Sequence, residues 1–230
     1  MKNAIFITGT DTGVGKTIVT GLLGRLFTER GIKTITQKWV QTGCAGVSED
    51  IAVHMGFIRN GERYIEKYHS DMAPYVLEFP SSPHLAALLE KKHIDAAIIE
   101  RSFRRLEKDF DLVLVEGSGG LMVPINDEKM IVDIVERLRL SVLVVAQNRL
   151  GAINQTLLTV EALRQRGLEI LGIVFNRVSQ EGDELILKDN KRIIGELTGE
   201  DVLGELTYSK DMEKLYETFL PVGERILQKI

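Results

Sequence analysis

Residues 9–17 read Gly9-Thr10-Asp11-Thr12-Gly13-Val14-Gly15-Lys16-Thr17, with the apolar run Ala4-Ile5-Phe6-Ile7-Thr8 before them and a helical pattern over residues 18–30 after them. Strand, glycine loop, Lys-Thr, helix is an order that builds a phosphate cradle. Glycines let backbone N–H groups converge on phosphate oxygens, and the following helix turns its positive end toward them. Lys16 would reach the β- and γ-phosphates and the Thr17 hydroxyl would ligate Mg²⁺. Thr12, Gly13, Val14, Gly15, Lys16 and Thr17 are therefore the expected nucleotide-binding stretch. Five residues, 10–14, separate Gly9 from Gly15, one more than the usual loop. A glycine-rich turn before a helix is the plainer alternative, and the strand and helix on either side favour the nucleotide.

That opening unit recurs in outline along the chain. Residues 33–37, 111–115, 141–146, 168–175 and 202–206 read as strands, most of them continuous apolar runs of the kind covered on both faces. Residues 49–56, 84–92, 95–108, 152–164, 184–197 and 211–229 read as helices. Residues 39–46 read as loop, and 69–83, with Pro74, Pro80 and Pro83, as loop or extended connector. Strands alternating with helices imply an α/β fold, a doubly wound, mostly parallel sheet with helices on both faces. The length of 230 residues fits one domain over 1–230. Ligands of such sheets bind at the carboxyl ends of the strands. That rule gathers residues 9–17, Lys38, 116–120, 147–151 and Asn176 on one rim.

Composition narrows the partners. A net charge of −4 gives no electrostatic footprint for nucleic acid. A single cysteine, Cys44, excludes an internal disulfide and fits a reducing compartment. No apolar run reaches the length of a membrane span, and the N-terminus enters a strand directly, so no membrane association, no signal peptide and a cytoplasmic location are expected.

On the rim, Glu116 closes the run 112–115 and is followed by Gly117-Ser118-Gly119-Gly120. An acid there can face the phosphate loop and bind Mg²⁺. Asp50, in Ser48-Glu49-Asp50, is either a third oxygen ligand beside Thr17 and Glu116 or a helix N-terminal acid with Ser48 as cap. Lys38 is either a second cation for the transferring phosphoryl group or a solvated lysine. Asn176 either pairs with a purine edge or caps a turn. His54, His69, His84 and His93 show no metal-ligand spacing, and Cys44 reads as an ordinary thiol.

Several blocks in this order resemble the dethiobiotin synthetase family: the run 8–17 with its longer spacing, Lys38, Pro80-Ser81-Ser82-Pro83-His84, Val115 to Gly120, Leu150-Gly151-Ala152-Ile153-Asn154 and Val174-Phe175-Asn176. They cover residues 3 to about 177. The resemblance implies a C–N-forming cyclo-ligase of biotin biosynthesis. It would join CO₂ (from bicarbonate) to 7,8-diaminononanoate with ATP as co-substrate and Mg²⁺, through a carbamate and a carbamic-phosphoric anhydride. By position it implies Mg²⁺ on Thr17, Asp50 and Glu116, and Lys16 and Lys38 as the catalytic cations. Thr12 and Thr42 would line the substrate site, and Asn176 would read adenine. The stretch Leu150 to Asn154 would receive the substrate carboxylate from the neighbouring subunit of a homodimer, an expectation consistent with anion binding at a helix N-terminus. The chain departs from the family pattern at Trp39 in place of Pro, at Gly13 where some relatives carry an acid, in a short loop between Lys38 and Asp50, and at Leu206-Thr207-Tyr208 in place of a Pro-aromatic pair.

Two other functions belong to related folds. An amidating ligase of the cobyrinate a,c-diamide synthase type would need a glutaminase domain for which this chain is too short. A partitioning or division-site switch ATPase would carry a second lysine early in the loop, and residues 9–14 contain none. Such proteins often end in a basic amphipathic helix, whereas the tail here mixes Glu213, Glu217 and Glu224 among its lysines.

Overall fold

The computed structural model describes residues 4–230, so the first three positions of the expected domain lie outside the described residues. Its strands are β1 (Ala4–Gly9), β2 (Thr34–Lys38), β3 (Val40–Thr42), β4 (Tyr75–Leu77), β5 (Leu112–Gly120), β6 (Ser141–Gln147), β7 (Ile170–Asn176) and β8 (Val202–Leu206). Its helices are α1 (Lys16–Glu29), α2 (Glu49–Phe57), α3 (Glu62–Met72), α4 (Pro83–Leu89), α5 (Ala96–Asp109), α6 (Ile131–Leu138), α7 (Ala152–Gln165), α8 (Glu184–Thr198) and α9 (Met212–Leu227).

Six strands form a sheet in the order β2-β5-β1-β6-β7-β8, and every pairing is parallel. Parallel strands need crossovers, and helices cover both faces. Side chains alternate between faces along a strand, and the core divides accordingly. Phe6, Val113, Val115, Val142 and Val144 pack with α5, α6 and the inner sides of α2, α3 and α7. Ile5, Ile7, Leu112, Leu114, Leu143 and Val145 pack against α1 and α9. The expected doubly wound sheet is thus observed. Among the described residues no helix is long and apolar enough to cross a membrane.

Four local expectations need correction. Residues 39–46 are not all loop, because β3 pairs in parallel with β4 as a separate two-stranded sheet. Three-residue strands are too short to show a period of two. The segment 69–83 is likewise not a plain connector: α3 runs to Met72, and β4 lies between Pro74 and Pro80. α3 is charge-rich and buries only Tyr68 and Met72, two residues one turn apart. α6 was not expected; it is one short amphipathic helix, opened by the Asp133 carboxylate accepting from the Met130 N–H at 2.7 Å. Finally, β5 does not stop at Val115 but continues through the glycines to Gly120, where it still pairs with Gly9 of β1. The glycines serve as strand here, and at Gly117 a Cβ would lie 2.7 Å from the Phe6 ring.

Two features place α2 near the rim. Ser48 caps it, accepting from the Ile51 N–H at 3.2 Å. Gly21 of α1 lets it approach closely, since a Cβ there would lie 2.4 Å from the Phe57 ring.

Candidate active site

β1 delivers the loop 10–15 to the carboxyl edge of the sheet, between β5 and β6. Gly15 stands at the head of α1 with φ 99°, in the left-handed region where glycine is favoured. A Cβ on it would lie 2.0 Å from Asn176 Nδ2. Asn176, at the end of β7, donates that Nδ2–H to the Val14 carbonyl at 2.9 Å. The Val14 side chain goes into the core while its carbonyl anchors the loop. Gly15→Ala should therefore destroy nucleotide binding while lowering stability by only about 1–3 kcal/mol. Thermal melts beside titration with a fluorescent ATP analogue would check this, and parental affinity would contradict it.

Lys16 is buried and curls over the loop, its Nζ donating to the Asp11 carbonyl at 3.0 Å. Burial, reinforced by the nearby Lys38 charge, lowers its pKa to about 8. Behind it lies a compact charge cluster. Lys38 Nζ is 2.7 Å from Glu116 Oε1, 2.8 Å from Asp50 Oδ2 and 3.1 Å from the Gly117 carbonyl. Thr17 Oγ1 is 3.2 Å from both Asp50 Oδ1 and Glu116 Oε1. Register explains the meeting: Lys38 of β2 lies directly across from Glu116 of β5. Burial drives the Lys38 ammonium down, but Glu116 and Asp50 reverse this and leave its pKa raised. For Glu116, burial acts upward, and Lys38 and the His54 hydrogen bond overcome it to hold the carboxyl well below the usual carboxylate range.

Asp50 lies in the first turn of α2, behind the Ser48 cap, and its carboxylate also faces Thr17 and Lys38. Lys38 is a buried, ion-paired cation and not a solvated one. One hydroxyl and two carboxylates suit a hard divalent ion such as Mg²⁺, which takes few protein ligands and keeps the rest for water and phosphate. Lys38 Nζ, held between the same two carboxylates, shows that the pocket is arranged for positive charge.

The cluster opens into a cavity of about 720 Å³ lined by Thr12, Gly13, Gly15, Lys16, Thr17, Lys38, Thr42, Asp50 and Glu116, together with Gln41, Pro80 to Pro83, Ser118 and Gly119. Thr42 reaches it through β3, whose position follows from the buried Trp39: its ring packs on Phe6 at 5.1 Å and its Nε1–H donates to Gln37 at 3.0 Å. Leu150, Gly151, Ile153 and Asn154 do not line this cavity. They line a separate one of about 750 Å³ with Leu157, Leu185 and Asn190. Ala152 is buried and its N–H is already donated to the Arg149 carbonyl at 3.1 Å. The start of α7 nonetheless touches the phosphate loop, through Gln155 Nε2–H to Asp11 at 3.2 Å. Cys44 is buried outside the cavity lining, its Sγ–H directed at the Val47 carbonyl.

Sequence reasoning missed His54. It is fully buried, and its Nε2 lies 2.8 Å from Glu116 Oε2. Its one available signal was the four-residue spacing from Asp50, which puts both on one helical face.

A parallel sheet with a glycine loop, Lys16, Thr17 and the β5 acid Glu116 at its carboxyl edge defines a P-loop nucleotide-binding protein. Residues 3–215 match the family described as an AAA domain. The chain belongs to the ATP-dependent dethiobiotin synthetase family within that class. It is 47% identical over 199 residues to the ATP-dependent dethiobiotin synthetase BioD of Chlorobaculum tepidum, covering 84% of this chain and 81% of that protein. It is 42% identical over 190 residues to the BioD 2 enzyme of Haemophilus influenzae, covering 83% and 99%. Among solved structures, the cell division ATPase MinD of Pyrococcus furiosus superposes with a TM-score of 0.59 at 18% identity, covering 99% of both chains. The pNOB8 ParA bound to nonspecific DNA gives 0.61 at 14% identity, covering 100% of this chain and 98% of that one. At such identities the likeness shows the fold alone.

Proposed function

We propose that this chain, acting as one catalytic domain, converts 7,8-diaminononanoate, CO₂ and ATP into dethiobiotin, ADP and phosphate. The observation that carries this reading is the Thr17–Lys38–Asp50–Glu116 cluster beneath the phosphate loop, opening on a cavity lined by Thr12 and Thr42. The cavity is large enough for a linear diamine beside a triphosphate terminus.

One amine adds to CO₂, forming an N–C bond and losing its proton, which gives a carbamate. A carbamate oxygen then displaces ADP from the γ-phosphorus. The second amine attacks the carbamoyl carbon and loses a proton, closing the cyclic urea as the C–O bond breaks and phosphate leaves. The central difficulty is that an anion must approach a triphosphate. Backbone N–H groups of residues 13–17 cradle the phosphates, and Lys16 lies along the β,γ-bridge. Lys38, on a flexible four-carbon stem, turns from its carboxylates toward the transferring oxygens and the carbamate. Thr12 and Thr42 orient the carbamate. Thr17, Asp50 and Glu116 would hold Mg²⁺, which would supply positive charge to the triphosphate. Positioning and fixed charge supply the catalysis.

We assign the substrate carboxylate to the start of α7 in a second subunit. Leu150 is 78%, Leu158 62% and Leu185 77% exposed, an apolar surface around that helix that suits a homodimer. The negative chain needs neither nucleic acid nor membrane for this chemistry, and a cytoplasmic location fits its substrates.

Asn176 has two duties in this reading, holding Val14 and facing the adenine. Asn176→Ala should reduce discrimination between ATP and other nucleoside triphosphates about tenfold and slow turnover less. Comparing kcat/KM for ATP and CTP checks this, and an unchanged preference removes the base-reading role.

The reaction order is tested with ¹⁸O-bicarbonate. Attack by a carbamate oxygen on the γ-phosphorus carries ¹⁸O into the released phosphate. Phosphate free of that label would mean that water attacked, and the carbamate route would be wrong.

A further inference from the structure

The mechanism leaves His54 unused, and its surroundings are unusual for a histidine that only fills a core. Thr36, His54 and Glu116 form one buried chain: Nδ1 of His54 is 3.1 Å from Thr36 Oγ1, and Nε2 is 2.8 Å from Glu116 Oε2. Thr36 and His54 are fully buried and Glu116 is 1% exposed. A carboxylate offers lone pairs only, so Nε2 donates its hydrogen to Glu116, while the Thr36 hydroxyl holds the ring from its other nitrogen, Nδ1. Two periodicities converge here. Thr36 lies two residues before Lys38 on β2, and so on the same face; His54 lies one turn after Asp50 on α2.

The consequence is a division of labour between the oxygens of Glu116. Oε2 is taken by the imidazole. Oε1, 2.7 Å from Lys38 Nζ and 3.2 Å from Thr17 Oγ1, is the one turned to the phosphate loop. We propose that His54, oriented by Thr36, is a positioning residue that fixes the Glu116 carboxylate so that Oε1 faces the Mg²⁺ site, and thereby sets metal affinity. Groups behind a metal ligand commonly act in this way. The proposal rests on the Mg²⁺ role given to Glu116 above.

The test is binding of Mn²⁺ to the ADP-loaded protein, followed by electron paramagnetic resonance, with metal-free ADP binding and the thermal midpoint measured alongside. His54→Leu should weaken Mn²⁺ binding about tenfold or more while leaving metal-free ADP binding within about twofold. His54→Gln, whose amide N–H reaches the same oxygen, should recover Mn²⁺ affinity to within about threefold. A histidine that merely filled space would instead lower the thermal midpoint and weaken both ligands together. Parental Mn²⁺ affinity in folded His54→Leu overturns the proposal, as does equal weakening in the Leu and Gln variants. Should His54→Leu not fold, the comparison of His54→Gln with the shorter His54→Asn decides, and equal affinities overturn it. Glu116→Gln separates the two levels. If it too leaves Mn²⁺ binding unchanged, the metal assignment fails and this inference with it; if it weakens Mn²⁺ while His54→Leu does not, only the positioning role fails.

Discussion

Lys38→Ala is expected to lower kcat by about 10³-fold or more, the scale on which a cation aimed at a transferring phosphoryl group acts. The same substitution should reshape the metal-free protein. Lys38 Nζ lies within 2.8 Å of both Asp50 and Glu116, so its removal leaves two carboxylates facing each other without the ammonium between them. Breaking a buried pair from one side costs about 3 kcal/mol, here reduced because the Asp50 side chain is 22% exposed. Glu116 keeps its bonds from His54 and Thr17, so the fold should survive. Mg²⁺ should then raise the thermal midpoint of Lys38→Ala more than that of the parent, because a divalent cation can replace the lost ammonium. Stopped turnover with a Mg²⁺-dependent gain in stability is the expected pair of results, read by steady-state kinetics and melting curves. A Lys38→Ala enzyme of near-parental activity would remove the catalytic role.

Lys16→Ala should abolish turnover through loss of triphosphate binding, and the parent should carry a matching pH signature. Burial lowers the Lys16 pKa from 10.5 to about 8 in the nucleotide-free protein. The sign follows from linkage. Between about 8 and 10.5 the folded chain binds fewer protons here than the unfolded chain, so this contribution to stability rises with pH across that window. A bound triphosphate does the opposite, favouring the charged lysine and raising its pKa again. ATP binding should therefore take up a proton above about pH 8, and affinity should fall by up to about tenfold per pH unit there. Calorimetric titration at about pH 8.5 in two buffers of different ionisation enthalpy detects that uptake, since ATP itself is then fully deprotonated. Absence of uptake would mean that Lys16 is already fully charged in the free protein.

Much of this was legible in the sequence, and the exceptions have physical reasons. The strands that carry the site are continuous apolar runs with buried faces, so β1, β5, β6 and β7 announce themselves. The loop 9–17 and Glu116 follow from local chemistry. β3 and β4 did not, because three residues each hold no period and only pairing defines them. α3 was hidden by its charge, which is the mark of a helix lying on the surface. The end of β5 was misplaced because glycines read as a turn, whereas here they let the strand run beneath the phosphate loop. The contacts made by His54 and Asn176 were hidden for a different reason. Their partners, Glu116 and Val14, are 62 and 162 residues away in the chain. No local pattern encodes contacts of that kind, which appear only once the sheet register is known.

The reaction is tested most directly by product formation from the purified protein with Mg-ATP, bicarbonate and 7,8-diaminononanoate, followed by mass spectrometry. Dethiobiotin should appear in step with ADP, with both absent when the diamine is withheld. ATP hydrolysis that proceeds without the diamine and yields no dethiobiotin would leave the P-loop fold standing and contradict the reaction.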